Sequence, residues 1–374
     1  MSLRQRLLLP LLAAFGSVAL AQETIKIGEY SSLTGKEASF GQSSHHGIVL
    51  AVEEINAAGG VLGKKLELIT EDNQTKPGES ATVVNKLISR DKVVALIGEV
   101  ASGRSLEAAP IAQRSRIPMI APAATNPKVT ETGNYIFRVC FIDPFQGTAM
   151  AKFAEETLKV KKVAIASSVS SAYSVGLAKF FRDTFTAAGG TVTVEQKFSE
   201  GDKDFRAQLT AIKASGAEAV FVPAYYTEAA LLIRQARDLG MTMPFFGGDG
   251  WEAPQLLEIG GAAMNGTYYS THFSAENKEP VVADFVAKYK ARWNGEVPGA
   301  FSALGYDSVY VLADAIKRAG STEGPKLRDA LAATKGFAGV TGVTTINAQR
   351  DATKPAAIIA VKDGKLEFLK TVAP

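Results

Sequence analysis

From Thr24 onward the chain alternates short apolar runs with stretches whose apolar residues return every three or four positions. The first run, 24–28, reads as a strand. Ile48, Ala51, Val52 and Ile55 then recur at helical spacing, which predicts a helix over about 42–58, stopped by Gly59-Gly60. A strand at 65–69, a helix at 79–90, a strand at 93–98, a helix at 103–114 and a short buried strand at 118–121 follow. The pattern then restarts, with strands at 162–166, 191–194, 219–222 and 244–247 separated by helices at 173–188, 205–215 and 228–239. Strands interleaved with helical patterns imply βαβ units and parallel sheets.

The last hundred or so residues do not repeat this pattern. Helices near 281–293, 301–319 and 325–333 precede only weak strands, at 342–346 and 357–361. These elements are expected to complete the earlier sheets. The domains are then discontinuous, with several chain crossings and one of them at about 140–147. The fold class expected is α/β, two doubly wound lobes on a multi-crossing hinge. The boundaries expected are 22–143 plus 273–348 for one lobe and 144–272 plus 349–374 for the other. Such a hinge suits closure around a ligand.

Composition narrows the function. The chain has 374 residues and a formal net charge of +3, which fits roughly two domains. It offers no basic stripe for nucleic acid. One cysteine, Cys140, excludes an internal disulfide and a cysteine-based zinc site. The N-terminus carries Arg4 and Arg6, an apolar run over 7–20, and Ala19-Leu20-Ala21 before Gln22. This is the pattern of a secretory leader over 1–21, cleaved after Ala21, with no cysteine following for a lipid anchor. The apolar run is too short to span a bilayer. A periplasmic, unlipidated protein is expected.

Catalytic signatures are missing from the sequence. It contains no HExxH, no phosphate-binding glycine loop and no GxSxG elbow. His45-His46, Glu53-Glu54 and Glu155-Glu156 are adjacent pairs on helices and read as solvated faces. His272 follows a strand without a sequence-local partner, and Cys140 reads as a buried small hydrophobe. No enzyme, cofactor or metal is expected.

Two loop–helix junctions at strand ends carry the candidate chemistry. They are Gly98 to Ser105, containing Ser102, and Ile120 to Pro127, containing Ala123 and Thr125. Open α/β sheets bind ligands at carboxyl strand ends, and a helix N-terminus favours an anion such as a carboxylate. Ser102 and Thr125 also fit ordinary helix caps. Arg104 reads as a solvent-facing first-turn residue, or as one reaching an acidic ligand group. In the second half Tyr173, Tyr225 and Asp249 stand at equivalent strand ends. Asp249, set among Gly247, Gly248 and Gly250, suits an ammonium group or a turn.

A linked set of motifs carries a family resemblance over essentially the whole mature chain. It comprises Ile27-Gly28, Leu33-Thr34-Gly35, the run Glu53 to Gly63, Ala123-Ala124-Thr125-Asn126-Pro127, Tyr173-Ser174-Val175-Gly176, Gly201 to Phe205 and Gly247-Gly248-Asp249-Gly250. In that order and spacing the chain resembles the leucine/isoleucine/valine-binding proteins of bacterial ABC importers, which are type I periplasmic binding proteins. The resemblance implies an apolar, branched-chain amino-acid ligand, ABC permease subunits as partners and a monomer. Ser102 and Thr125 would hold the α-carboxylate, the Ala123 carbonyl would accept from the ammonium, and Asp249, often Glu in the family, would pair with it. Tyr225 matches a ligand-contacting tyrosine, and Phe40, Tyr173 and Phe301 match aromatic walls. Gln74 and Ala101 stand where relatives have a disulfide. A ligand sensor for amino acids, small amides or aromatic acids uses the same cleft and stays open as an alternative.

Overall fold

A computed structural model describes residues 23–374; the leader expected over 1–21 lies outside the described residues. The first lobe runs through β1 (Ile25–Ser31), α1 (Ala38–Ala57), β2 (Leu66–Asp72), α2 (Glu79–Ser89), β3 (Ala95–Ile97), α3 (Ser102–Ser115), β4 (Met119–Ala121), α4 (Lys128–Glu131) and β5 (Ile136–Arg138). Its sheet has the order β2-β1-β3-β4-β5, and every pairing is parallel. All residues of β3 and β4 are buried, as a parallel sheet covered by helices on both faces requires.

The second lobe continues with α5 (Asp143–Lys152), β6 (Lys162–Ser168), α6 (Ala172–Ala187), β7 (Thr191–Phe198), α7 (Arg206–Ala214), β8 (Ala219–Phe221), α8 (Tyr226–Asp238), β9 (Phe245–Gly247), α9 (Pro254–Gly260) and β10 (Thr267–Thr271). The chain then returns to the first lobe with α10 (Pro280–Arg292), α11 (Ala300–Ala319), α12 (Gly324–Ala332), β11 (Phe337–Gly339) and β12 (Gly342–Thr344). It ends in β13 (Ala356–Lys362) and β14 (Lys365–Val372), antiparallel additions that give a second sheet of order β14-β13-β10-β9-β8-β6-β7. The lobes are joined between Arg138 and Asp143, between Thr271 and Pro280, and between Thr344 and Ala356.

Three expectations are corrected. The strand expected at 342–346 completes neither large sheet; β12 pairs with β11 in a separate two-stranded ribbon. Residues 143–147 belong to α5, so the first crossing is shorter than 140–147. The pattern also missed β5 and β14. Three residues are too few to show a period, and β14 is largely exposed, so its residues do not segregate into an apolar and a polar face.

Helix α11 has fifteen buried residues and lies against α1. Two glycines permit this approach. A Cβ at Gly47 would sit 1.8 Å from the Ser302 carbonyl oxygen, and one at Gly305 would sit 2.4 Å from that of Ser44. The close packing brings Phe301, at the start of α11, beside Phe40 on α1 with ring centroids 5.0 Å apart. Of the three adjacent pairs expected on solvated faces, Glu155-Glu156 stays at the surface while the other two make tertiary contacts. His46 stacks on Trp293 at 3.8 Å, His45 Nδ1 lies 2.7 Å from the buried Glu29 carboxylate, and Glu54 accepts from the Tyr306 and Tyr310 hydroxyls at 2.8 and 2.9 Å. Cys140 is fully buried as expected, and burial pushes its thiol up to about 12.

The lobes touch across their facing edges. Asn126 Nδ2 donates to the Ala172 carbonyl at 2.7 Å, and the Tyr226 hydroxyl donates to the Lys36 carbonyl at 2.7 Å. Lys36 pairs with Glu200 at 2.8 Å, and Ser39 bonds to Gln255. The conformation is therefore closed.

Candidate functional site

The C-terminal ends of β3 and β4 point toward the second lobe, and each is followed by a loop held from behind. The loop after β3 is held by the buried Glu99 carboxylate. It accepts from the backbone N–H groups of Ser32 and Ala101, both at 2.7 Å, and from Asn73 Nδ2 at 3.2 Å. Burial raises the Glu99 pKa, and these donors oppose the rise. Helix α3 begins at Ser102, so its first N–H groups have no intrahelical acceptor. The loop after β4 is held by Arg138, whose guanidinium donates to the carbonyls of Ala124 and, at 2.9 Å, Asn126. Asp351, 2.6 Å from Arg138 Nε, balances that buried charge.

The second lobe supplies the opposite wall. Tyr173 lies in the first turn of α6, and its hydroxyl accepts from the Gly250 N–H at 3.1 Å. The Tyr173 and Tyr225 rings stack at 5.3 Å, and Tyr225 meets Phe40 edge-on at the same separation. Gly250 makes this possible, because a Cβ there would lie 2.9 Å from the Tyr173 ring. Asp249 follows β9, and both of its oxygens accept hydrogen bonds. Gln146 Nε2 reaches Oδ1 at 2.8 Å and His272 Nε2 reaches Oδ2 at 2.9 Å.

A small cavity of about 10 Å³ lies between these walls in this closed conformation, lined by Phe40, Val100, Ala123, Thr125, Tyr173, Tyr225, Asp249, Gly250 and Phe301. Seven of the eight residues expected from the sequence therefore surround a single space. Ser102 does not line it. Its hydroxyl accepts from the Asn126 N–H at 3.2 Å and joins the two loops. Thr125 Oγ1 is buried and has no hydrogen-bond partner among the described residues. The Asp249 carboxylate is the one charged side chain in the lining.

Four groups around the cavity were invisible to sequence reasoning. Gln146, His272 and Arg138 arrive from distant segments, with no local signal. Glu37, at the start of α1, is nearly fully buried. Burial, with the charges of Glu99 and Glu200, pushes its carboxyl up to about 8, while Arg104 and Lys36 oppose the rise. Asp143 is likewise pushed up to about 8, mainly by burial and by the Asp249 charge. Arg104 corrects an expectation. Only 8% exposed, it is held by Glu107 at 2.7 Å with Glu37 at 4.0 Å, because the lobes cover the first turn of α3.

Among the described residues no three His, Cys, Asp or Glu side chains could together hold a metal ion. No helix there is long and apolar enough to cross a membrane. A charged acceptor facing an unpaired donor set, with aromatic walls between, can hold a small zwitterion with an apolar side chain.

Comparison with known proteins decides the family: the periplasmic binding protein model matches residues 24–365. The chain belongs to the periplasmic binding protein family. A leucine-, isoleucine-, valine-, threonine- and alanine-binding protein of Pseudomonas aeruginosa is 33% identical over 323 residues, covering 86% of each chain. Among solved structures, a leucine-binding protein of Thermotoga maritima is 41% identical, with a TM-score of 0.90 over 94% of this chain and 99% of its own. The isoleucine complex of a branched-chain amino acid transporter substrate-binding protein from Streptococcus pneumoniae is 36% identical. Its TM-score is 0.89 over 94% of this chain and all of its own. The two-lobed α/β architecture of this periplasmic binding protein is thus that of solved members of its family.

Proposed function

We propose that the protein captures an apolar, branched-chain α-amino acid between its lobes in the periplasm and delivers it to an ABC importer. The observation that carries this reading is the composition of the cavity between the Thr125 and Asp249 walls. Ala123 and Thr125 stand on one wall, the Asp249 carboxylate stands on the other, and aromatic rings lie between. The α-carboxylate takes the unpaired donors at the helix end, the ammonium takes Asp249 and the Ala123 carbonyl, and the side chain lies against Phe40, Tyr225 and Phe301. Leucine-, isoleucine- and valine-binding relatives of similar fold support the ligand class.

Ligand that touches both lobes stabilises the closed state by its differential affinity for closed over open. The closed face is then what the importer recognises. The reading includes export by a leader cleaved after Ala21, a monomeric shuttle, and lobes bounded at 143/144, 272/273 and 348/349. It is tested by unfolding and refolding the protein to strip any carried ligand, then titrating leucine, isoleucine, valine and phenylalanine calorimetrically. Saturable heat with the branched-chain members supports it, and absence of heat with all four overturns it.

A further inference from the structure

Asp249 is the one charged side chain lining the cavity, yet its neighbourhood is mostly outside it. Its two oxygens are held from behind by two donors from the connections between lobes. Gln146 belongs to α5, immediately after the first crossing. His272 immediately follows β10, where the second crossing begins. Both are buried. Gln146 Nε2 also donates to Ser270 Oγ at 3.0 Å, which fixes the amide's orientation. The His272 ring stacks on Phe141 at 3.7 Å and 26°, so it cannot turn away from Asp249.

We propose that His272, with Gln146, is a positioning residue for recognition of the ligand's α-ammonium. The proposal rests on the reading above that an amino acid lies against Asp249. A carboxylate oxygen accepts at two lone pairs, so one donor on each oxygen fixes the carboxylate plane and leaves one acceptor direction per oxygen for the cavity. His272 Nδ1 is buried and has no partner among the described residues. The imidazole that fits this site is therefore the neutral tautomer with its proton on Nε2, donated to Asp249. Two protons would leave a buried N–H unpaired. A neutral donor orients the carboxylate without cancelling the charge that attracts the ammonium. Glu252 and Asp143 are the other acids near this pair, and burial raises the pKa of both.

His272 then acts on the ammonium alone and leaves carboxylate and side-chain recognition untouched. The test compares leucine with 4-methylpentanoate, which has the same carboxylate and hydrocarbon but no amino group. Affinities are measured by calorimetry for leucine and by thermal-shift titration for the acid, on stripped protein. H272L should weaken leucine about ten- to a hundredfold, the scale of a charge-assisted hydrogen bond. It should leave 4-methylpentanoate within about twofold, so the selectivity ratio collapses. H272Q, which keeps a side-chain donor, should recover most of the leucine affinity. Unchanged leucine binding in H272L, or equal loss for both ligands, overturns the proposal. Where H272L does not fold, Gln146→Leu is measured instead: a collapsed ratio supports the proposal, and an unchanged ratio overturns it. Wild-type protein that binds no aliphatic amino acid would instead overturn the ligand reading on which the proposal stands.

Discussion

Glu37→Gln isolates one buried acid whose titration the closed fold should control. The Glu37 side chain is 3% exposed, and its Oε2 has no hydrogen-bond partner among the described residues. Its surroundings are mixed. Glu99 and Glu200 disfavour its charge, while Arg104 Nε at 4.0 Å and Lys36 Nζ at 3.9 Å favour it, and desolvation outweighs both. The carboxyl is pushed from its ordinary 4.5 to about 8. Between those two values the folded state holds a proton that the unfolded state has lost. Stability therefore falls as pH rises through this window and levels off above about 8. Each tenfold change in proton affinity is worth about 1.4 kcal/mol, so the full rise corresponds to on the order of 5 kcal/mol. Glutamine keeps the shape and cannot ionise. Urea unfolding of wild type and E37Q, both saturated with leucine to hold the closed state, should give similar stabilities at pH 4.5. The variant should gain progressively and be more stable by up to roughly 5 kcal/mol at pH 9. Asp143 titrates the same way in both proteins and cancels in the difference. Parallel pH profiles for the two proteins would refute the reasoning.

Two further substitutions test other links in the chain. Gly47→Ala places a methyl group 1.8 Å from the Ser302 carbonyl oxygen and must separate α1 from α11, so it should cost about 1–3 kcal/mol and lower the melting temperature, read by circular dichroism. Thr125→Val keeps the side chain's shape and removes the unpaired cavity hydroxyl. It should weaken leucine binding by roughly ten- to a hundredfold in calorimetry with little change in melting temperature, and full affinity would remove Thr125 from the carboxylate site.

Most of the fold was legible because the physics that makes each element is local. Ile48, Ala51, Val52 and Ile55 form the buried stripe of α1, and the apolar runs at 95–97 and 119–121 lie wholly inside the first sheet. Part of the candidate site was legible for the same reason. Thr125, Tyr173, Tyr225 and Asp249 stand at strand ends, where βαβ geometry places ligands. The readings of His45 and Glu54 failed because each needed a particular neighbour from elsewhere in the chain. His45 and Glu54 read as solvated because no nearby residue reveals Glu29 or Tyr306. No local signal shows that the Ser102 hydroxyl accepts from the Asn126 N–H.

The sequence by itself therefore determined the alternation of strands and helices, the two lobes and the residues at their strand ends, all properties of stretches no longer than a βαβ unit. Tertiary structure alone decided what each of those residues does. Asp249 acquires its orientation from Gln146 and His272, 103 and 23 residues away, and Glu37 acquires its proton from a buried setting shaped by Glu99 and Glu200. Hydrogen-bond geometry and desolvation depend on distances in space, and the crossings of this hinge bring together side chains that the chain itself keeps far apart.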